Sequence, residues 1–181
     1  PSHVEMVLVL DESGSMSDLT RDTIGGFNSM IEKEKKLDVD AHVTTVLFND
    51  QYKMLYNRRE LKDVRKMTDK DYTPGGMTAL LDAVGRTIHK MDMVSGIHRK
   101  DKGNKAGWEF IFLGANIDAA AEAENLGIGS DRAVKYKNTG SGVRANFKAV
   151  AELSDSLAKS GRVSDEWKET VEKDEDDAAD K

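Results

Sequence analysis

The chain has 181 residues, no cysteine and a formal net charge of −6. That length allows one domain, or one domain with a tail, around a real core, and the lack of cysteine excludes a disulfide framework and a thiolate metal site. Residues 165–181 hold nine acids against three bases, so the residues before them carry 24 of each and are neutral; a neutral body with an acidic end argues against a nucleic-acid surface, which would cluster Lys and Arg.

No apolar run is long enough to span a bilayer. The first residues lack the basic region and apolar core of a signal peptide. With the absence of cysteine, these features lead to the expectation of a cytoplasmic chain with no membrane partner.

Val4-Glu5-Met6-Val7-Leu8-Val9-Leu10 is an apolar run and predicts the first strand. Asp11-Glu12-Ser13-Gly14-Ser15 follows as a tight turn. Small oxygen groups at alternate positions, at the carboxyl end of a buried strand, suit a small hard cation such as Mg²⁺. The same residue types also cap backbone groups in strand-to-helix loops.

Residues 18–36 predict the first helix, with Asp18 as its cap and Leu19, Ile24, Phe27, Met30 and Ile31 as its apolar stripe. Gly25-Gly26 weakens a helix, and close packing on the sheet is the expected reason for the pair. Residues 41–48 are rich in β-branched side chains and predict the second strand; residues 52–56 predict the third. Only Asn49-Asp50-Gln51 separates them, so they form an antiparallel hairpin with the third strand at the edge. His42 is expected to be an ordinary strand residue, since nothing nearby in sequence offers His/Glu metal spacing.

Residues 58–71 are highly charged and predict a short helix plus loop. Pro74-Gly75-Gly76 is a strong turn. Thr78 then heads an apolar-periodic helix through Leu80, Leu81, Val84, Ile88 and Met91, ending near residue 93, and can serve as its N-cap. Residues 94–107 are polar and basic, with no strand pattern. Residues 108–114 predict a strand, 119–126 a helix and 133–136 the last strand. Residues 139–142 read as a flexible link before a helix over 143–159, in which Phe147, Val150, Leu153 and Leu157 share one side. Ser160-Gly161 breaks that helix; Val163, Trp167 and Val171 suggest a last amphipathic turn or two, and the acidic chain after Lys173 is expected to fray.

Two of these segments carry a resemblance. D-x-S-x-S after the first strand, together with Gly75-Gly76-Met77-Thr78-Ala79-Leu80-Leu81-Asp82-Ala83 at a later helix start, resembles the von Willebrand factor type A (vWA) domain, and most closely its small intracellular bacterial and phage members. The resemblance runs from about Val4 to Tyr136. With the element pattern, it implies an α/β fold: a three-layer sandwich whose mostly parallel central sheet has an antiparallel edge hairpin and helices on both faces. Residues 1–160 would form this domain, and residues 161–181 a C-terminal helical extension and acidic tail. The resemblance also implies a metal-ion-dependent adhesion site. Ser13 and Ser15 would touch the metal with their hydroxyls, Asp11 would hold it through water, and Thr78 would join from the second loop. The ion would be Mg²⁺, or Mn²⁺ or Ca²⁺, with one position left for a carboxylate of a partner protein.

One departure matters. The family's third loop, an aspartate in Thr-Asp-Gly after the fourth strand, is not in this sequence, and residues 94–107 stand where that strand–helix unit belongs. The empty slot beside the first strand leads to two expectations. Residues 108–114 would move into it, or another protomer would fill it. Asn116 or Asp118 in the following loop would then stand in for the lost aspartate, or simply cap the next helix.

Catalysis is not expected. Ser13 stands where a dehalogenase-like phosphatase needs its second carboxylate, and neither G-x-S-x-G nor H-E-x-x-H occurs. The alternative to a binding module is a metal-free scaffold of the same shape.

Overall fold

A computed structural model of the chain describes residues 3–37, 39–80, 83, 85–87, 89–90, 112–115, 133–164 and 166–176. They form a mixed α/β fold. β1 (Val4–Asp11) and β2 (Ala41–Phe48) run parallel, in register from Val4↔Ala41 to Asp11↔Phe48. A parallel pair needs a crossover, and α1 (Thr20–Lys36) supplies it. β3 (Tyr52–Glu60) turns back antiparallel on β2, giving the order β1-β2-β3 with β3 at the edge. The hairpin and its place are as the sequence predicts.

Ladder partners share a face of the sheet, so the register sorts the side chains. Met6, Leu8, Leu10, Val43, Leu47 and Tyr56 lie toward α1, in one core with its Phe27, Met30 and Ile31. Phe27 and Tyr56 stack at 6.4 Å between ring centroids. Val46 and Phe48 are buried on the opposite face, in register with Met54 and Tyr52. Residues 80, 83, 85–87, 89 and 90 are helical, and Arg86, Thr87 and Lys90 among them meet this face. The Tyr52 hydroxyl lies 3.2 Å from Thr87 Oγ1, and the Arg86 guanidinium sits 5.8 Å from the Tyr52 ring centroid.

Several local readings change. Residues 14–19 form a 3₁₀ turn, and α1 starts at Thr20 with no side-chain cap, so Asp18 is an exposed turn residue. β3 continues four residues past the predicted strand, across a register shift against Thr45. The helix predicted within 58–71 is reduced to a 3₁₀ turn at Leu61–Asp63. The reason is that α1 satisfies this segment's backbone from outside. Asn28 donates to the Met67 carbonyl at 3.0 Å and accepts from the Met67 N–H at 2.7 Å, while Lys35 donates to the Val64 carbonyl at 2.8 Å. Val64, Met67 and Tyr72 can then be buried as an extended strap.

α2 (Gly140–Ser160) packs along α1, and α3 (Glu166–Asp176) packs on α2. The expected link at 139–142 is instead the start of α2: Thr139 caps it, its Oγ1 accepting from the Gly142 N–H at 3.2 Å. Gly26 is needed where α1 meets α2, not where α1 meets the sheet. A Cβ there would stand 2.5 Å from Phe147 Cδ2, whereas one on Gly25 would meet nothing within 4 Å. Past Gly161, Trp167 and Val171 belong to the same core, and α3 extends beyond Lys173.

β4 (Phe112–Ala115) and β5 (Ala133–Tyr136) form a separate parallel pair, and β5 contacts α2 and α3. Among the described residues, 112–115 pair with β5 and no ladder joins them to β1; the rest of 108–114 lies outside the described residues. Residues 94–107 and the helix expected at 119–126 lie outside the described residues. Among the described residues, no helix is long and apolar enough to cross a membrane.

Candidate functional site

Asp11 is the last residue of β1, level with Phe48 at the end of β2. Both strands are parallel, so the loops leaving them open at the same end of the sheet, where open α/β sheets place ligands. The first loop curls at once. Asp11 Oδ1 accepts from the Ser13 N–H at 2.7 Å, an Asx-type turn. That bond ties the carboxylate to the Ser13 backbone, and the Ser13 Oγ lies 3.1 Å from Ser15 Oγ. Ser13 is buried; Ser15 is exposed.

The second loop, residues 72–79, docks on the first through its backbone. The Gly14 N–H donates to the Gly76 carbonyl at 3.0 Å, and the Gly75 N–H donates to the Glu12 carbonyl at 2.9 Å. The Tyr72 hydroxyl donates to the Asp11 carbonyl at 2.5 Å. The hairpin turn after β2 braces the far side: Asn49 Nδ2 donates to the Gly75 carbonyl at 2.9 Å, and the Ala79 N–H to the Asn49 carbonyl at 3.0 Å. Gly76 has φ +71°, and a Cβ there would stand 2.5 Å from Asp50 Oδ1. Only glycine meets both conditions.

Thr78 lies between two residues bonded into this cluster, Gly76 and Ala79, with its side chain exposed. No hydrogen bond among the described residues joins it to Ser13 or Ser15. Thus Asp11, Ser13 and Ser15 are brought together directly, and Thr78 is brought to the same end of the sheet on a loop tied to theirs. Asn116 and Asp118 lie outside the described residues.

The sequence reading passed over Glu12. Its side chain is 5% exposed, and its Oε1 accepts from Lys53 Nζ at 3.0 Å, the Thr73 N–H at 2.7 Å and Thr73 Oγ1 at 3.3 Å. It clamps the second loop from inside the first. An acid in the middle of D-x-S-x-S, followed far along the chain by Tyr-Thr-Pro, gives no sign of that contact in the sequence.

A second cluster lies at the opposite end of the ladder. Glu5 on β1 and His42 on β2 are register partners, and His3 stands beside them. His42 is the strand residue that the sequence predicts, and register, which sequence spacing does not reveal, brings it beside Glu5 and His3. Burial raises the Glu5 pKa, but hydrogen bonding and charge from Arg58, with His3 and His42 adding, outweigh it and hold the carboxyl below its ordinary value.

Neither a protein-family model nor a curated protein matches the chain.

Proposed function

We propose that this chain is a metal-ion-dependent protein-binding module, a vWA-like three-layer sandwich whose site at residues 11–15 and 78 takes a divalent cation. The docking of residues 72–79 on residues 11–15 by two backbone hydrogen bonds is the observation that carries the reading. It supports a single centre built from two segments some sixty residues apart in sequence. The donor set fits the ion. Asp11, Ser13, Ser15 and Thr78 offer only oxygen, as Mg²⁺ prefers. Neighbouring ligands of an octahedral Mg²⁺ stand about 3 Å apart, given its metal–oxygen distances, and the Ser13 and Ser15 oxygens lie 3.1 Å apart.

In this reading the two serine hydroxyls hold the ion directly and Asp11 holds it through water. Thr78 joins from the second loop. Mg²⁺ keeps waters readily, so a carboxylate from a partner protein can replace one and complete the shell. The protein itself makes and breaks no covalent bond. The lack of cysteine suits a reducing, cytoplasmic setting.

Calorimetric titration with MgCl₂ and MnCl₂ tests this. Wild type should bind one ion, and Ser13→Ala should lose at least tenfold in affinity. Binding by neither would reduce the chain to a metal-free scaffold, and equal binding by both would place the ion away from Ser13.

A further inference from the structure

We propose that His3, Glu5 and His42 form a second metal site, for a borderline cation such as Zn²⁺, at the end of the sheet opposite residues 11–15. Six rungs of ladder separate Glu5↔His42 from Asp11↔Phe48, about 20 Å at the rise of a parallel strand. The two sites are therefore independent.

The three candidate ligand atoms already form a triangle. His42 Nδ1 lies 2.9 Å from His3 Nε2 and 3.2 Å from Glu5 Oε1, and His3 Nε2 lies 3.3 Å from Glu5 Oε1. A tetrahedral zinc with nitrogen ligands near 2.0–2.1 Å separates neighbouring ligands by about 3.3 Å. The cluster is thus close to one face of that tetrahedron, before any ion binds. Two imidazoles and one carboxylate are also a ligand set that zinc accepts and Mg²⁺ does not prefer.

The surroundings position the ligands. His3 Nδ1 lies 3.2 Å from Asp40 Oδ1. Donation to that carboxylate puts the proton on Nδ1 and leaves the Nε2 lone pair facing the cluster, the outer-shell arrangement that orients metal-bound histidines. On the other side, Arg58 Nε lies 3.2 Å from both Glu5 Oε1 and Oε2. Arg58 is the one non-glycine among the described residues with positive φ, 45°, and its N–H is held by Thr44 Oγ1 at 3.0 Å. This bent edge-strand residue anchors the Glu5 carboxylate, whose Oε1 also lies near both imidazoles. Arg58 also contacts Oε1 through Nη2, and its charge opposes a cation, so affinity is set by Glu5 and Asp40 against Arg58. The side chains of His3, Glu5 and His42 are 39%, 24% and 28% exposed, which leaves the fourth position open to water or a ligand from another molecule.

The alternative is a polar network that only ties down the start of the ladder. Titration of the full chain with CoCl₂ and ZnCl₂, in excess MgCl₂, separates the two. The expected result is one cobalt per chain with the intense visible bands of tetrahedral coordination, displaced by zinc. His3→Ala and His42→Ala should each lose at least tenfold in zinc affinity, and Asp40→Asn about tenfold, the usual size of an outer-shell loss. Ser13→Ala should leave zinc binding unchanged, so failure here and failure of the site at residues 11–15 are read separately. Circular dichroism checks folding, and the exposed His3→Ala is the variant least able to disturb it. A pale octahedral cobalt spectrum, or zinc affinity in folded His3→Ala equal to wild type, would overturn the proposal.

Discussion

Glu12 occupies a position that D-x-S-x-S leaves open, yet it fixes how the two loops meet. Replacing it with Ala strips the Thr73 N–H and Lys53 of a shared acceptor; Lys53 is 44% exposed and keeps the Asp71 carbonyl at 2.7 Å. The expected cost is about 1–3 kcal/mol, the range for leaving a hydrogen-bonding group without its partner. Urea denaturation measures it, and a loss under 0.5 kcal/mol would show that the loops dock without this clamp. Glu34 acts in the opposite direction. Its Oε2 accepts from Ser154 Oγ at 2.7 Å, but its Oε1 is buried without a partner. Burial above all, with the nearby Asp155 charge, pushes its pKa up against the Ser154 bond and Lys33. The folded chain then holds this proton more tightly than the unfolded one does. Its contribution to stability is complete below the ordinary carboxylate pKa and is lost as pH rises through the raised value. Glu34→Gln should therefore stabilise the protein at neutral pH by about 1–2 kcal/mol and flatten stability between mildly acid and neutral pH. A less stable variant at pH 7 would contradict this.

At the scale of elements, the pair Gly25-Gly26 separates two explanations for glycine in a helix. Gly26→Ala pushes a methyl against the Phe147 ring and should cost about 1–3 kcal/mol. Gly25→Ala meets open space and should gain about 0.5–1 kcal/mol from better helix propensity. Thermal unfolding of the two single variants checks the contrast; equal shifts would mean α2 does not press on α1 at this point. The elements that the sequence predicted correctly are those with strong local signals. β1 is an apolar run, β2 is rich in β-branched side chains, and the hairpin follows from a three-residue turn. The mistaken ones were decided by distant partners. Asn28 and Lys35 hold the chain extended around residues 64–67, and no local pattern in a charged segment announces that. Thr139 was legible as a cap by residue type, but the glycines around it read as a linker.

For the whole molecule, the register of β1 on β2 organises both ends of the sheet. It sets Asp11 level with Phe48 at one end and Glu5 beside His42 at the other. The first end was legible because its motif is contiguous and its second loop has a specific pattern of its own. The second was not, since it needs His3 ahead of β1, Glu5 on β1 and His42 on β2, and no spacing in the chain encodes that pairing. The route to residues 72–79 was likewise hidden: Glu12, Tyr72 and Asn49 dock that loop through contacts between distant positions.

The central claim is that residues 11–15 and residues 75–78 surround one divalent ion. Paramagnetic broadening by Mn²⁺ at less than one equivalent tests it most directly, since the effect falls steeply with distance from the ion. The amide signals of Gly14, Ser15, Gly76 and Thr78 should broaden together, and an excess of Mg²⁺ should restore them. Broadening confined to one of the two loops, or absent from both, would contradict the account.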